Sequence, residues 1–149
     1  MKIIADTNIL FSGLVNTSGT IGDLLFDPEN VFEFYSCDYM RFEINKHWDK
    51  LKKISKLTDQ DLKESLFKLY TKIHFINEVQ IPEKIWLKAE TLTLNIDIDD
   101  IDFVAMTDYL KGVLWTGDKE LYNGLKSKGF KKVVNTQELV IIRNKLTKH

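Results

Sequence analysis

The residues best placed to do chemistry in this chain are carboxylates: Asp6, Glu43, Asp99, Asp100, Asp102 and Asp118. Asp6 directly follows the short apolar run Lys2 to Ala5. Asp118 lies in the turn Thr116-Gly117-Asp118, just past the run that begins at Val113. Asp99, Asp100 and Asp102 stand at the start of a helical stretch, and Glu43 lies about two turns into another. If such acids converge they repel one another, and their protonation is favoured unless something neutralises them. A hard divalent cation does this well, because Mg²⁺ and Mn²⁺ prefer oxygen ligands and are held by a few carboxylates together with substrate phosphates. An ion so held lowers the pKa of a bound water and stabilises an in-line phosphoryl transition state. Nitrogen and sulfur ligands do not compete. His47, His74 and His149 have no ligand spacing, and the lone Cys37 excludes an intramolecular disulfide and an all-cysteine site.

The elements that must position these acids alternate between strand and helix. Lys2–Ala5 reads as a buried strand, followed by a short helix from Ser18 or Thr20 to Phe26 and a strand from Phe32 to Ser36. Cys37, Met40, Ile44, Trp48 and Leu51 then fall at spacings of three and four, the stripe of one long helix. A further helix spans Thr58 to Ile73, with Leu62, Leu66, Leu69 and Ile73 as its apolar face and Thr58 or Asp59 as its cap. Phe75–Ile81 is strand-like, and Pro82 suits the first turn of a helix to about Leu94. The acidic run Asp97 to Asp102 leads into a helix from Asp100 to Leu110, closed by Gly112. Val113–Thr116 is a strand, Asp118–Lys126 a helix, Lys132–Val134 a strand and Gln137–Leu146 a helix. The alternation predicts an α/β fold with a mainly parallel sheet. In such sheets ligands bind beyond the carboxyl ends of the strands, which is where Asp6 and Asp118 stand.

The length of 149 residues suits one domain, residues 1–149. The net charge of −1 gives no bulk positive field, so a nucleic-acid enzyme would need a local basic patch or metal ions to meet the phosphates. Lys46, Lys50 and Lys53, following Glu43 on the expected long helix, are the candidates. No apolar run approaches the roughly 18 residues of a membrane span. Asp6 interrupts the stretch that a signal peptide would continue, and one cysteine suits a reducing compartment, so a cytoplasmic protein is expected. Each acid also has an ordinary structural use. Asp118, Asp99 and Asp100 can cap the helices they precede, and Glu43 can be a solvated helix acid.

The stretch Met1-Lys-Ile-Ile-Ala-Asp6-Thr7-Asn8-Ile9-Leu10 resembles the opening of PIN domains, whose first strand ends in Asp-Thr/Ser-Asn followed by apolar residues. Asp100-Ile-Asp-Phe-Val-Ala-Met-Thr107 is similar to the family's third motif, and Leu114-Trp-Thr-Gly-Asp118-Lys-Glu-Leu121 to its fourth. The pair Glu43-Ile44 suits the second acid. The match covers most of the chain in the right order. It implies a three-layer α/β/α sandwich and Mg²⁺- or Mn²⁺-dependent cleavage of RNA to a 5′-phosphate and a 3′-hydroxyl. Asp6, Glu43, Asp100 and Asp118 would bind the metal directly or through water, with Asn8 and Thr116 orienting them from behind. Asp100 is chosen over Asp99 and Asp102 because it lies five residues before Ala105, although the acidic run leaves the third acid open. Thr107 departs from the small apolar residue of many relatives.

A phosphatase of the haloacid-dehalogenase type also places an Asp after its first strand, but needs a second Asp where this chain has Asn8. The other alternative is a degenerate PIN domain acting as an RNA-binding or assembly module. Among enzymes, the resemblance leaves open an RNA-processing ribonuclease and the toxin of a toxin–antitoxin pair, with an antitoxin or a second copy of the chain as protein partner.

Overall fold

The computed structural model describes residues 1–29 and 31–147, so that His149 lies outside the described residues. Its centre is a five-stranded, all-parallel sheet. The strands are β1 (Lys2–Ala5), β2 (Glu33–Cys37), β3 (Ile73–Ile76), β4 (Val113–Trp115) and β5 (Val133–Val134), in the order β3-β2-β1-β4-β5. The helices are α1 (Thr7–Val15), α2 (Thr20–Leu25), α3 (Tyr39–Lys46), α4 (Trp48–Ser55), α5 (Asp59–Lys72), α6 (Glu83–Thr93), α7 (Ile101–Leu110), α8 (Lys119–Ser127) and α9 (Thr136–Thr147). From β1 to β3 the chain steps across the sheet one way; the crossover to β4 returns past β1 and continues the other way. Since parallel crossovers are right-handed, this reversal puts α6, α7 and α8 on one face and α1 to α5 on the other. The result is an α/β/α sandwich.

β1 lies in the middle because it can be buried on both faces. Ile3, Ile4 and Ala5 are fully enclosed, with Ile4 opposite Tyr35 on β2 and Leu114 on β4. Leu114 and Trp115 of β4 are equally buried, and the Trp115 indole N–H is satisfied by the Thr136 hydroxyl at 3.1 Å. The strand order turns between β1 and β4. That junction is a topological switch point, where the connections leave in opposite directions and open a crevice at the strand ends. Asp6 and Asp118 follow the two strands that flank it.

Several expected elements differ from those found. The segment after Asp6 folds at once into α1, although Ser12, Gly13 and Asn8 are poor helix formers. Packing decides this. Ile9, Leu10 and Leu14 are buried, and Gly13 lets Leu25 of α2 approach so closely that a Cβ there would lie 2.5 Å from its Cδ1. The single helix expected from Cys37 to Leu51 is two, α3 and α4, separated at His47 with φ −101° and ψ 16°. Cys37 belongs to β2 instead. The strand expected over Phe75–Ile81 runs over Ile73–Ile76, because Ile73 pairs opposite Phe34 of β2 rather than ending α5. It stops where the Asn77 carboxamide accepts the Val79 N–H at 3.0 Å and turns the chain into a short 3₁₀ segment, Glu78–Gln80.

The left-handed residue that ends α7 is Lys111 (φ 55°), not Gly112. The Gly112 N–H returns to the Thr107 carbonyl at 3.0 Å, completing the helix-ending motif one residue later. Glycine is needed there for space, since a Cβ would lie 2.8 Å from the Lys2 carbonyl and 2.6 Å from Ile4 Cδ1. Gly112→Ala should therefore destabilise the fold by about 1–3 kcal/mol, the usual cost of overpacking. Thermal denaturation followed by circular dichroism should show a melting temperature lowered by roughly 2–10 °C; an unchanged melt would show that β1 and α7 can separate at no cost.

Candidate metal centre

Three helices begin on acids singled out in the sequence. Asp6 caps α1 from extended backbone (φ −79°, ψ 175°), its Oδ1 accepting the Ile9 N–H at 3.0 Å. Asp118 caps α8, its Oδ1 accepting from the N–H groups of Glu120 at 2.9 Å and Leu121 at 3.2 Å. Asp100 occupies the same position before α7 but makes no side-chain cap bond. A helix N-terminus carries unpaired N–H donors and partial positive charge, so each of these positions favours a carboxylate. Thr116, buried just beyond β4, joins two of them. Its Oγ1 accepts the Asp118 N–H at 3.1 Å, and its side chain, beside the Asp6 carboxyl, favours that group's charged form.

Carboxylate oxygens of Asp97, Asp100 and Asp118 all come within 4.8 Å of one another. Asp6 is only 3% exposed and close enough to Asp100 and Asp118 for their charges to interact. The cost of this convergence falls on Asp100. Burial first, then the charges of Asp97, Asp6, Asp118 and Asp99, push its carboxyl from 3.8 to about 7. Burial also pushes the Asp6 carboxyl up, and the charge of Asp118 adds to it, while hydrogen bonds from Thr116, Ile9 and Asn8 oppose. A repelling, oxygen-only group from three parts of the chain has the donor chemistry of a hard divalent cation site.

The family model described as the PIN domain matches residues 4–139. The chain belongs to the PIN-domain family. Among curated proteins none matches it. Membership implies a nuclease-type function, and PIN domains generally bind divalent metals.

This PIN domain distributes its other candidate residues less tightly than the sequence suggested. Glu43 does not join the Asp97–Asp100–Asp118 group. It lines an adjoining cavity of about 490 Å³ with Thr7, Tyr39, Asp99 and Asp102, pushes up the pKa of the nearby Tyr39 hydroxyl, and has His47 Nε2 at 3.3 Å. Asp100 and Asp102 thus face different places, Asp100 closing the short 3₁₀ turn before α7 and Asp102 lying in the first turn of α7. Burial and the charge of Glu78 push the Asp102 carboxyl up. Asn8 is exposed and lines a separate cavity with Phe11, His47 and Lys50; what it gives Asp6 is its backbone N–H. Lys46, Lys50 and Lys53 are exposed but do not share one helix with Glu43, since Lys46 ends α3 while Lys50 and Lys53 ride on α4. Asp97 was not singled out. Its signal was the interval of three to Asp100, which the turn realises through the Asp100 N–H bonding the Asp97 carbonyl at 3.2 Å.

The raised carboxyl of Asp100 has a consequence for stability. In the folded protein it holds a proton that the unfolded chain releases near 3.8, so its stabilising effect is complete below that pH and lost as pH rises to about 7. Asp6, shifted in the same direction, adds to this loss. In chelator, the protein should melt at a higher temperature near pH 5 than near pH 8, and Asp100→Asn should flatten that dependence. Thermal melts across this range check it; an equally steep dependence in Asp100→Asn would exclude Asp100 as its source.

Proposed function

We propose that this PIN domain is a ribonuclease that hydrolyses RNA phosphodiester bonds with Mg²⁺ or Mn²⁺ held by Asp97, Asp100 and Asp118. The observation that carries this reading is the convergence of these carboxylates at the strand ends, with Asp6 buried beside them and the charge on Asp100 uncompensated by any cap bond. When bound, such a cation lowers the pKa of a water and offsets the charge that develops on phosphate oxygens. The chain's own groups fix the ligands. N-terminal amides of α8 hold Asp118, those of α1 hold Asp6, and the Thr116 hydroxyl sets Asp6 relative to Asp118. Asp6 supplies negative charge and Glu43 extends the same surface into the adjoining cavity. Lys46, Lys50 and Lys53 are the proposed contacts to the phosphate backbone, and the products would carry a 5′-phosphate and a 3′-hydroxyl.

Cleavage of fluorescently labelled RNA by the purified protein in Mn²⁺ tests this. Asp6→Asn, Asp100→Asn and Asp118→Asn should each lose more than roughly a hundredfold in rate, since changes even behind metal ligands reach that scale. Asp102→Asn should stay active. All variants must keep the wild-type circular dichroism spectrum. An Asp100→Asn variant that cleaves like wild type would remove the proposed centre, and a folded wild type that binds RNA without cutting it would favour the degenerate-module alternative.

A further inference from the structure

The face of α3 that carries Glu43 also carries two aromatic rings that the fold does not bury. Tyr39 is 51% and Phe42 58% exposed, although burying such rings is normally a main source of stability. A single exposed ring is ordinary, but these two are paired. Their centroids are 5.7 Å apart with the planes tilted by 31°, within the distance range of an aromatic contact. The pair is also held in place. The Tyr39 N–H donates to Glu78 Oε1 at 2.9 Å, and Glu43, one turn on, is near enough to raise the pKa of the Tyr39 hydroxyl. Tyr39 itself lines the cavity that contains Glu43, Asp99 and Asp102.

Positions 39, 42, 43 and 46 fall at intervals of three and four, so Tyr39, Phe42, Glu43 and Lys46 share one side of α3. Aromatic rings leading from an acidic cavity towards an exposed lysine combine what a single-stranded nucleic acid requires: π-faces for its bases and a cation for its phosphates. Duplex RNA offers no exposed base face to such a platform.

We infer that Tyr39 and Phe42 form a stacking platform for unpaired nucleobases of the substrate, positioning a single strand across the mouth of the carboxylate cavity. This deepens the ribonuclease reading and rests on it. The platform selects single strands over duplexes and tolerates base sequence, because every base has a π-face. It does no chemistry of its own.

The test is fluorescence anisotropy with a labelled single-stranded RNA of roughly ten nucleotides, within the usual site size, and with the same strand annealed to its complement. Phe42→Ala and Tyr39→Ala should each weaken single-strand binding about tenfold, raise KM in cleavage more than they lower kcat, and leave duplex binding unchanged. Phe42→Trp should restore binding. Phe67→Ala, which removes a ring 72% exposed on α5, should bind like wild type. Because Phe42 is exposed, its alanine variant should melt as wild type does. Equal binding by wild type and Phe42→Ala would overturn the platform while leaving the ribonuclease reading intact. So would unchanged RNA binding in a Phe42→Ala variant that elutes as a monomer where wild type elutes as a dimer, since the rings would then serve a protein interface. Wild type that neither binds nor cuts any of these RNAs would overturn the platform together with the reading beneath it.

Discussion

Mutual repulsion among acids at the carboxyl edge of a parallel sheet governs how this molecule is built. Three helices, α1, α7 and α8, start there on Asp6, Asp100 and Asp118. Two of the acids are held by cap hydrogen bonds from their own helices, which offset part of their charge. The third has no such bond and bears the residual cost, with its carboxyl at about 7. A chain selected only for stability would place Asn or Ser at that cap, keeping the capping group and removing the repulsion. Retaining Asp100 makes sense if a cation completes the group.

The sheet order makes this convergence attainable. Reversal of strand order between β1 and β4 brings together residues more than a hundred positions apart without any long loop. Each acid is one residue past a strand or one before a helix, so its direction follows from backbone that the core fixes. Trp115 and Ile4, both fully buried, anchor the two strands that carry Asp6 and Thr116. Stability of the core and geometry of the centre are therefore coupled, as Gly112 illustrates by admitting the Lys2 carbonyl against the end of α7.

Much of this was legible in the sequence because the relevant signals are local. The buried run ending at Asp6, the turn Thr116-Gly117-Asp118 and the alternation of periods each reflect the residues on the spot, and they suffice for the α/β class and the parallel sheet. What escaped depends on contacts distant in sequence. α1 forms because Leu25 fills the space above Gly13, and β3 begins at Ile73 because Phe34 lies opposite. The break at His47 is invisible to an apolar stripe that continues in phase from Ile44 to Leu51. It separates Lys46 from Lys50 and Lys53. The partition of the acidic run also eluded residue spacing. Asp97 and Asp100 turn towards Asp118, while Asp99 and Asp102 turn towards Glu43, because a 3₁₀ turn over Ile98–Asp100 precedes α7.

A divalent cation that answers the repulsion among Asp97, Asp100 and Asp118 would be visible directly in a crystal. Crystals soaked in Mn²⁺, with diffraction recorded at the manganese absorption edge, test for it most directly. An anomalous peak is expected at coordination distance from Asp100 and Asp118, lost in crystals of Asp118→Asn. A peak confined to the cavity of Glu43, Asp99 and Asp102, with none beside Asp100, would contradict that expectation.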